Sequence, residues 1–508
     1  MMMVNLSVNA KKWLAFAAVS LVTTMINLDI TVANMAVAAI AKTFHAPLSQ
    51  MQWVINAYML THVVFLIIAG RLADIFGRKS IYLIGIGLFL LASIIIIVAP
   101  NIEILIGGRA IQGIGFAFSL TLGILLVTSI FPEEQRGFAL GSYMTVAGLA
   151  QALGPSIGGL ILQFLNWRWI FAINIPLSLL ALVFVSLLYP KNNPMSYGER
   201  IDFTGMMWLV LSLTLLAFGL NQIDQWKIFS LLCAMGGFMV LLLFYKHLKR
   251  TQHPLINFSL FKNKVYCATS IIRALHMYDR FTVLFILPLY LLNILGESPF
   301  VTGAIIFCMT ITFALVSPLA GMWLDRVGFV MPTKVSLILS LMAFLIMTQL
   351  GTTLSLPLLL SALVLLGIAA PIIGSSTPAL NLSVLPVKDK GVGMGAFYML
   401  AFLGSLIGIA LSGSLLAFLS EKYFYSVMVA QNFALNLFDV KELLLAVNGA
   451  SGVKLLERTM PLPDYNILAP IIKSSFVYGL RIVMWINAGL VVIALYLCRW
   501  LDSKNISH

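Results

Sequence analysis

Runs of roughly twenty apolar residues follow one another along nearly the whole chain, and the breaks between them are short and charged. The break GRLADIFGRK (70–79) is typical, set between the apolar stretches 53–69 and 81–98. A helix of about 20 residues is just long enough to cross the ~30 Å hydrocarbon core of a bilayer. Measured by that length, the 508 residues hold fourteen expected spans. They lie at 13–35, 51–69, 80–99, 104–130, 138–162, 168–189, 203–221, 228–245, 265–293, 301–324, 333–352, 355–380, 391–419 and 475–498. A soluble domain needs about 25% charged residues to cover its surface. Here 10% are charged and 61% hydrophobic, which excludes a soluble multidomain chain and points to an all-α polytopic membrane protein. The first run follows Lys11 and Lys12, is too long for a signal-peptide core and contains Asn27 and Asp29, so it is expected to stay as span 1.

The net charge is +13, but its distribution matters more than its size. With the N-terminus inside, 19 of the 31 Lys and Arg fall in cytoplasmic segments. The short outside loops hold only Lys42, Arg168 and Lys227, and the five bases of the long outside segment 420–474 are offset by five acids. This positive-inside bias puts both termini in the cytoplasm of a multi-pass protein, expected in a bacterial inner membrane. The basic balance is therefore a topology signal and not a nucleic-acid footprint, and the lipid bilayer is the expected surrounding; KHLKRTQHP (246–254) adds a modest attraction to anionic headgroups. The four cysteines have no paired spacing, so neither disulfide nor metal is implied.

Two motifs recur at nearly one offset. GRLADIFG (70–77) and GMWLDRVG (321–328) share G-x-x-x-D-x-x-G, while PEEQRG (132–137) and PVKDKG (386–391) share P-x-x-x-[RK]-G. Each second motif leads into glycine-bearing helix, with Gly154 and Gly158 in the first copy and Gly404 and Gly408 in the second. The offset covers an even number of spans, so the copies are expected to be parallel, as in transporters built from two related halves. The expected organisation is a six-helix bundle (1–190), an inserted hairpin (203–245), a cytoplasmic linker (246–264) and a second six-helix bundle (265–498) carrying the outside loop 420–474.

These residues also carry a resemblance. GRLADIFGRK resembles the loop between spans 2 and 3 that marks the major facilitator superfamily, and GGRAIQGIG (107–115) its span 4 motif. GLAQALGPSIGG (148–159) is similar to the span 5 motif of the antiporters. LDITVANMA (28–36) and WRWIFAINIP (167–176) resemble the fourteen-span drug:proton antiporter branch. The resemblance implies a major facilitator fold of two six-helix bundles plus two inserted helices. It implies a secondary exporter of small organic molecules driven by protons. A proton symporter importing an organic anion is the alternative. It further implies that Gly70, Arg71, Asp74, Gly77 and Arg78, with Gly321, Asp325 and Gly328 in the second copy, form conformational latches. Gly154 and Pro155 are implied to approach the span expected at 301–324. The branch commonly has an arginine where this chain has Ala401.

Ionisable groups inside a bilayer are expensive and normally have a task. The resemblance implies that Asp29 and Arg109 take part in proton coupling in the first half; on the rival reading Asp29 makes a structural hydrogen bond or an interfacial cap, and Arg109 a structural ion pair holding spans 1 and 4 together. Gln112 shares the Arg109 face, three residues on. Asn27, Thr31 and Asn34 share a helical face from which Asp29 points away. In the second half, RALHMYDR (273–280) sets four ionisable residues within eight. Arg273, His276 and Arg280 share one face, and Asp279 flanks it. Asp279 is expected in proton coupling and Arg273, His276 and Arg280 in substrate binding, where an anionic or zwitterionic ligand would suit; a self-neutralised Asp279–arginine pair is the structural alternative. Asn34, His62 and Gln112 complete the expected substrate contacts, with simple packing the alternative for His62. Arg481 is expected to pair or to snorkel.

No HExxH, no phosphate-binding glycine loop and no Cys/His cluster occurs, so neither an enzyme, an ATP-driven pump nor a cofactor protein is expected. The expected partners are protons, a small-molecule substrate and lipid. For 420–474 an ordered lid is preferred over docking of a periplasmic adaptor.

Overall fold

The computed structural model describes residues 8–44, 48–189, 202–221, 227–251, 258–430, 440–448, 453 and 462–501. It is built from α-helices with short 3-10 and π turns; no strand occurs among the described residues. In chain order the helices are α1 (Val8–Phe44), α2 (Leu48–Phe76), α3 (Arg78–Ile97), α4 (Ile102–Ile130), α5 (Arg136–Phe164), α6 (Arg168–Ala172) and α7 (Asn174–Leu188). There follow α8 (Phe203–Asn221), α9 (Lys227–Arg250), α10 (Lys264–Pro288), α11 (Pro299–Val327), α12 (Val330–Met347) and α13 (Leu356–Val384). The last are α14 (Lys390–Ala430), α15 (Val440–Val447) and α16 (Leu462–Leu497).

Twelve described spans are long and apolar enough to cross a membrane. This is two fewer than the expected fourteen. The missing two positions are those of α5 and α8, both helical; in α8 the apolar piece Phe203–Leu216 falls in a shorter class. Helix α14 runs on to Ala430 and α16 begins at Leu462, so much of 420–474 is helix. At 1.5 Å per residue the 41 residues of α14 reach about 62 Å, twice a hydrocarbon core. Residues 431–439 of the segment 420–474 lie outside the described residues.

Local chemistry fixes the helix ends. Asn101 caps α4 by accepting from the Ile104 amide at 3.0 Å, and Ser298 caps α11 ahead of Pro299 by accepting from Val301. The two motif copies end alike: Gly77 (φ 91°) joins α2 to α3 and Gly328 (φ 81°) closes α11. Both use a left-handed backbone that other residues resist, and each donates its amide 2.9 Å to the carbonyl four residues earlier. After Pro288, α10 passes into a π turn over Leu289–Ile294, which absorbs the missing proline donor.

Contacts divide the chain into two compact units. Unit 1 comprises Met1–Cys267 with Pro378–Met399; unit 2 comprises Ala268–Thr377 with Leu400–His508. In unit 1 the hairpin α8–α9 is closed by glycine. A Cβ at Gly219 would press on the Ala234 amide, and one at Gly237 on the Leu216 amide. Asp202 caps α8 through the Gly205 amide and meets His247 of α9 at 2.8 Å. Trp53 of α2 stacks on Phe218 of α8 at 5.5 Å. Helix α9 is otherwise clad in exposed Ile228, Leu232, Met235 and Met239, the pattern of a surface that meets lipid.

Candidate functional site

Unit 1 buries a polar cluster. Arg109 of α4 donates through Nη1 to Asp29 Oδ2 of α1 at 2.7 Å and to Gln112 Oε1 at 2.6 Å, and through Nε to the Val54 carbonyl of α2 at 3.1 Å. Asp29 Oδ1 accepts from Asn174 Nδ2 of α7 at 2.8 Å and from Gln112 Nε2 at 3.2 Å. Gln112 also reaches Ser93 Oγ of α3 at 3.1 Å. The Asp29 carboxylate thus receives three donors from two neighbouring helices, and the cluster ties five helices together. Its position follows from close packing: a Cβ at Gly113 would strike the Tyr58 carbonyl, so α2 and α4 touch backbone to side chain. Thr61 adds a 2.7 Å bond to the Ala110 carbonyl across the same seam.

The outer face of Arg109 is aromatic. Its guanidinium lies 4.0 Å from the centroid of Tyr58, Tyr58 stacks on Phe116 at 5.5 Å, and His62 stacks on Phe116 at 3.8 Å. His62 was expected at the substrate; it is instead fully buried in this stack, one turn beyond Tyr58 on α2. Asn27, on the opposite face of α1 from Asp29, accepts from Gln151 of α5 at 2.8 Å. Gly154 sits against Thr31 of α1, where a Cβ would strike the threonine hydroxyl, so this motif seats α5 on α1. The side chains of Asn34 and Pro155 lie outside the described residues.

The loop between α2 and α3 engages the start of α14 within unit 1. Asp74 accepts from the Gly391 amide at 3.0 Å and the Val392 amide at 2.9 Å, both orphan donors of a helix N-terminus. Gly70 and Gly391 face each other so closely that a Cβ on either would meet the other's carbonyl. Arg71 and Arg78 are both buried beside this joint. In the second copy Gly321 is buried and Asp325 half-buried.

Unit 2 contains a small, partly open cavity of about 20 Å³ lined from α10, α11, α12 and α13. His276, Asp279 and Arg280 line it from α10, against Met309, Phe313 and Phe344. Arg273, His276 and Asp279 of RALHMYDR are buried, and Arg280 is half-buried. Arg273 does not line the cavity: its Nη1 lies beside Gly374 of α13, which separates it from the group expected to act with it. Helix α10 is clamped to α14, because a Cβ at Gly404 would strike the Ala274 carbonyl and one at Gly408 the Tyr278 carbonyl. Thr282, Ser412 and Tyr278 link their hydroxyls along the same seam, at 2.7 and 3.2 Å. Arg481 donates to the Leu350 carbonyl at 2.9 Å, a helix-end tie. Among the described residues no group of His, Cys, Asp or Glu is arranged to hold a metal.

Sequence reasoning missed Asn174, Ser93 and the Val54 carbonyl. Asn174 had a signal, being a polar residue inside an apolar run at the α6–α7 junction; Ser93 and a backbone carbonyl had none.

Comparison with known proteins gives one consistent result. A family model described as Major Facilitator Superfamily matches residues 19–259 and 269–437. The multidrug resistance protein Stp of Mycobacterium tuberculosis (strain CDC 1551 / Oshkosh) is 29% identical over 413 residues, 80% of this chain and 76% of that protein. The multidrug transporter protein MdtP of Bacillus subtilis (strain 168) is 27% identical over 470 residues, 88% of this chain and 85% of that one. The crystal structure of the human organic anion transporter MFSD10 (TETRAN) superposes with a TM-score of 0.62, covering 97% of this chain and 100% of that one at 15% identity, a likeness of fold.

Proposed function

The chain belongs to the major facilitator superfamily, and from that premise we propose that it is a proton-coupled antiporter of the fourteen-span branch, exporting small organic molecules by alternating access. It is an integral multi-pass membrane protein whose relatives are transporters rather than enzymes, and several of those relatives are named for multidrug resistance. The observation that carries the coupling is the Asp29–Arg109 pair at 2.7 Å, fully buried and shared with Gln112 and Asn174.

A proton arriving on an Asp29 oxygen cancels the charge that Arg109, Gln112 and Asn174 converge on. One acceptor then becomes a donor, and at least one of the three bonds must break or turn round. Arg109 keeps the Val54 carbonyl and the Tyr58 face, so it stays with α2 and α4 while its hold on α1 weakens. Protonation is thereby converted into a change in how α1 and α7 pack on α4, which is what coupling to a conformational cycle requires. The positive-inside pattern supports an inner-membrane placement with both termini cytoplasmic. Import of an organic anion has no comparable support, because the organic anion transporter it superposes on shares only the fold.

Reconstitution into proteoliposomes with an imposed pH gradient tests this reading. A drug panel is measured together with a lumenal pH dye. The wild type moves substrate and protons in opposite directions, and Asp29→Asn abolishes gradient-driven movement; full coupling in that variant sinks the proposal. The Asp74 joint acts as a latch in the same cycle. Asp74→Asn keeps the shape but loses the charge facing two helix-end amides, so turnover slows while substrate affinity holds. Normal turnover with lost affinity would count against the latch.

A further inference from the structure

A buried aspartate stands on α10 with an oxygen that no donor reaches. Asp279 is 4% exposed and His276, one turn earlier, 8%; Asp279 Oδ1 and His276 Nε2 both lack a hydrogen-bond partner. No ion pair with Asp279 forms among the described residues, so the self-neutralised pair considered from the sequence is not made. Its chain neighbour Arg280 leaves the helix about 100° round. That arginine is half-buried and lies against the Phe313 ring, 5.3 Å from its centroid. Arg273 turns to Gly374 of α13 instead.

Asp279 and His276 both line the small cavity of unit 2, and residues three apart on a helix are neighbours. A single water needs about 10–15 Å³ and two to four polar partners. The cavity offers about 20 Å³, enough for one water and far too little for an organic molecule. Asp279 Oδ1 and His276 Nε2 supply two partners, and the hydroxyls of Thr310 from α11 and Ser340 from α12 also line the space. Ser340 donates its own hydrogen to the Ser336 carbonyl at 3.0 Å, which leaves its oxygen able to accept. The rest of the lining is apolar, including Phe313, Phe344 and Leu366. Its charged or titratable members are His276, Asp279 and Arg280 alone, all on α10; α11, α12 and α13 contribute none. Helix α14 meets α10 at Ala274 and Tyr278, through Gly404 and Gly408.

A carboxylate buried without a cation is costly, and the neutral acid avoids that cost. A water beside it can bring the proton and take it away. Ionised Asp279 accepts from the water, protonated Asp279 donates to it, and the water turns round on His276 and Ser340. Placing the proton on His276 instead would set a third cation on the helical face it shares with Arg273 and Arg280. Tyr278, next to Asp279, is pinned against Gly408, so a change of charge here acts beside a helix seam.

We propose that Asp279 is a second proton-carrying site of this protein, served by one water held between Asp279, His276 and Ser340. This rests on the transporter reading and adds to its cycle a proton that does not pass through Asp29.

Infrared difference spectroscopy tests it on the full-length protein in lipid nanodiscs, with pH as the only variable and no substrate. The wild-type spectrum minus that of Asp279→Asn shows a protonated-carboxyl band that grows as pH falls, within the range where the protein stays folded. Asp279→Glu keeps a carboxyl and retains such a band at a shifted frequency, so wild type minus Asp279→Glu carries the same reading where Asp279→Asn fails to fold. His276→Phe removes one partner of the water. The midpoint of the band then moves by about half to one pH unit, the equivalent of one hydrogen bond. No band at Asp279, or a band that ignores pH, overturns the proton site; an unmoved midpoint in His276→Phe overturns the shared water. For a drug that the wild type moves, the proton-to-drug ratio measured at the null point is lower in Asp279→Asn by the one proton. An unchanged ratio overturns a part for Asp279 in the cycle. If Asp29→Asn keeps full coupling while the Asp279 band titrates, the Asp29 assignment fails and this site stands; if the band is absent and Asp29→Asn uncouples, the reverse holds.

Discussion

Unit 1 buries an aspartate with an arginine, unit 2 buries an aspartate beside a half-buried arginine, and the two treat them in opposite ways. In unit 1 Asp29 is enclosed by donors: Arg109, Gln112 and Asn174 all reach it within 3.2 Å. In unit 2 Asp279 faces a cavity with an oxygen left unpartnered. Spacing accounts for the difference. Asp29 and Arg109 come from different helices and meet face to face, whereas Asp279 and Arg280 are chain neighbours whose side chains leave a helix about 100° apart. Three donors already hold the Asp29 carboxylate, whereas Asp279 Oδ1 has none.

The sharpest way to break that contrast is to remove one charge from each cluster and compare thermal unfolding in detergent. Arg109→Gln leaves Asp29 buried without its cation, and breaking such a pair costs about 3–5 kcal/mol. The unfolding temperature should fall by many degrees. Asp279→Asn removes a buried charge that has no partner, so the same physics predicts no loss or a gain in stability. If Asp279→Asn destabilises the protein as much as Arg109→Gln, Asp279 is bonded like Asp29 and the contrast fails.

How far the two clusters could be read in advance also differs. The ionisable residues of both were legible, because charge in an apolar run is conspicuous. So were the helical faces of α1: Asn27 and Thr31 turn to α5 while Asp29 turns to α4 and α7, as the 3.6-residue period requires. The repeated motif was legible too, and in both copies its closing glycine, Gly77 or Gly328, adopts positive φ. What could not be read was partnership across helices. Ser93 reaches the first cluster where Gly115 lets α4 close on Phe89 of α3, and Asn174 reaches it from α7. Arg273 belongs by periodicity with His276 and Arg280, but Gly374 opens a place for it on another helix. The length of α14 was missed because hydropathy marks only where a helix leaves the apolar layer, not where it ends.

A smaller effect tests whether the second cluster is held as rigidly as the first. Gly404→Val adds bulk where α14 meets the Ala274 carbonyl, half a turn from His276. Overpacking of this kind costs about 1–3 kcal/mol. Because α10 would have to move, the unfolding temperature should fall while coupling through Asp29 persists in any protein that remains folded; loss of coupling in folded protein would mean that the clusters are not independent.

The smallest change probes how much the outermost bond of the unit 1 cluster matters. Ser93→Ala deletes the hydroxyl that accepts from Gln112 at 3.1 Å and leaves every bond to Asp29 in place. One neutral hydrogen bond is worth about 0.5–1.5 kcal/mol, so the unfolding temperature should drop only slightly. Gln112 keeps its bond to Asp29 but loses the anchor that sets its amide, so the carboxylate's grip on its three donors loosens without losing any of them. The expected result is intact substrate binding with a shifted pH dependence of gradient-driven transport. An unchanged pH profile would mean that Asp29 responds to its direct donors alone, and that the cluster ends at Gln112.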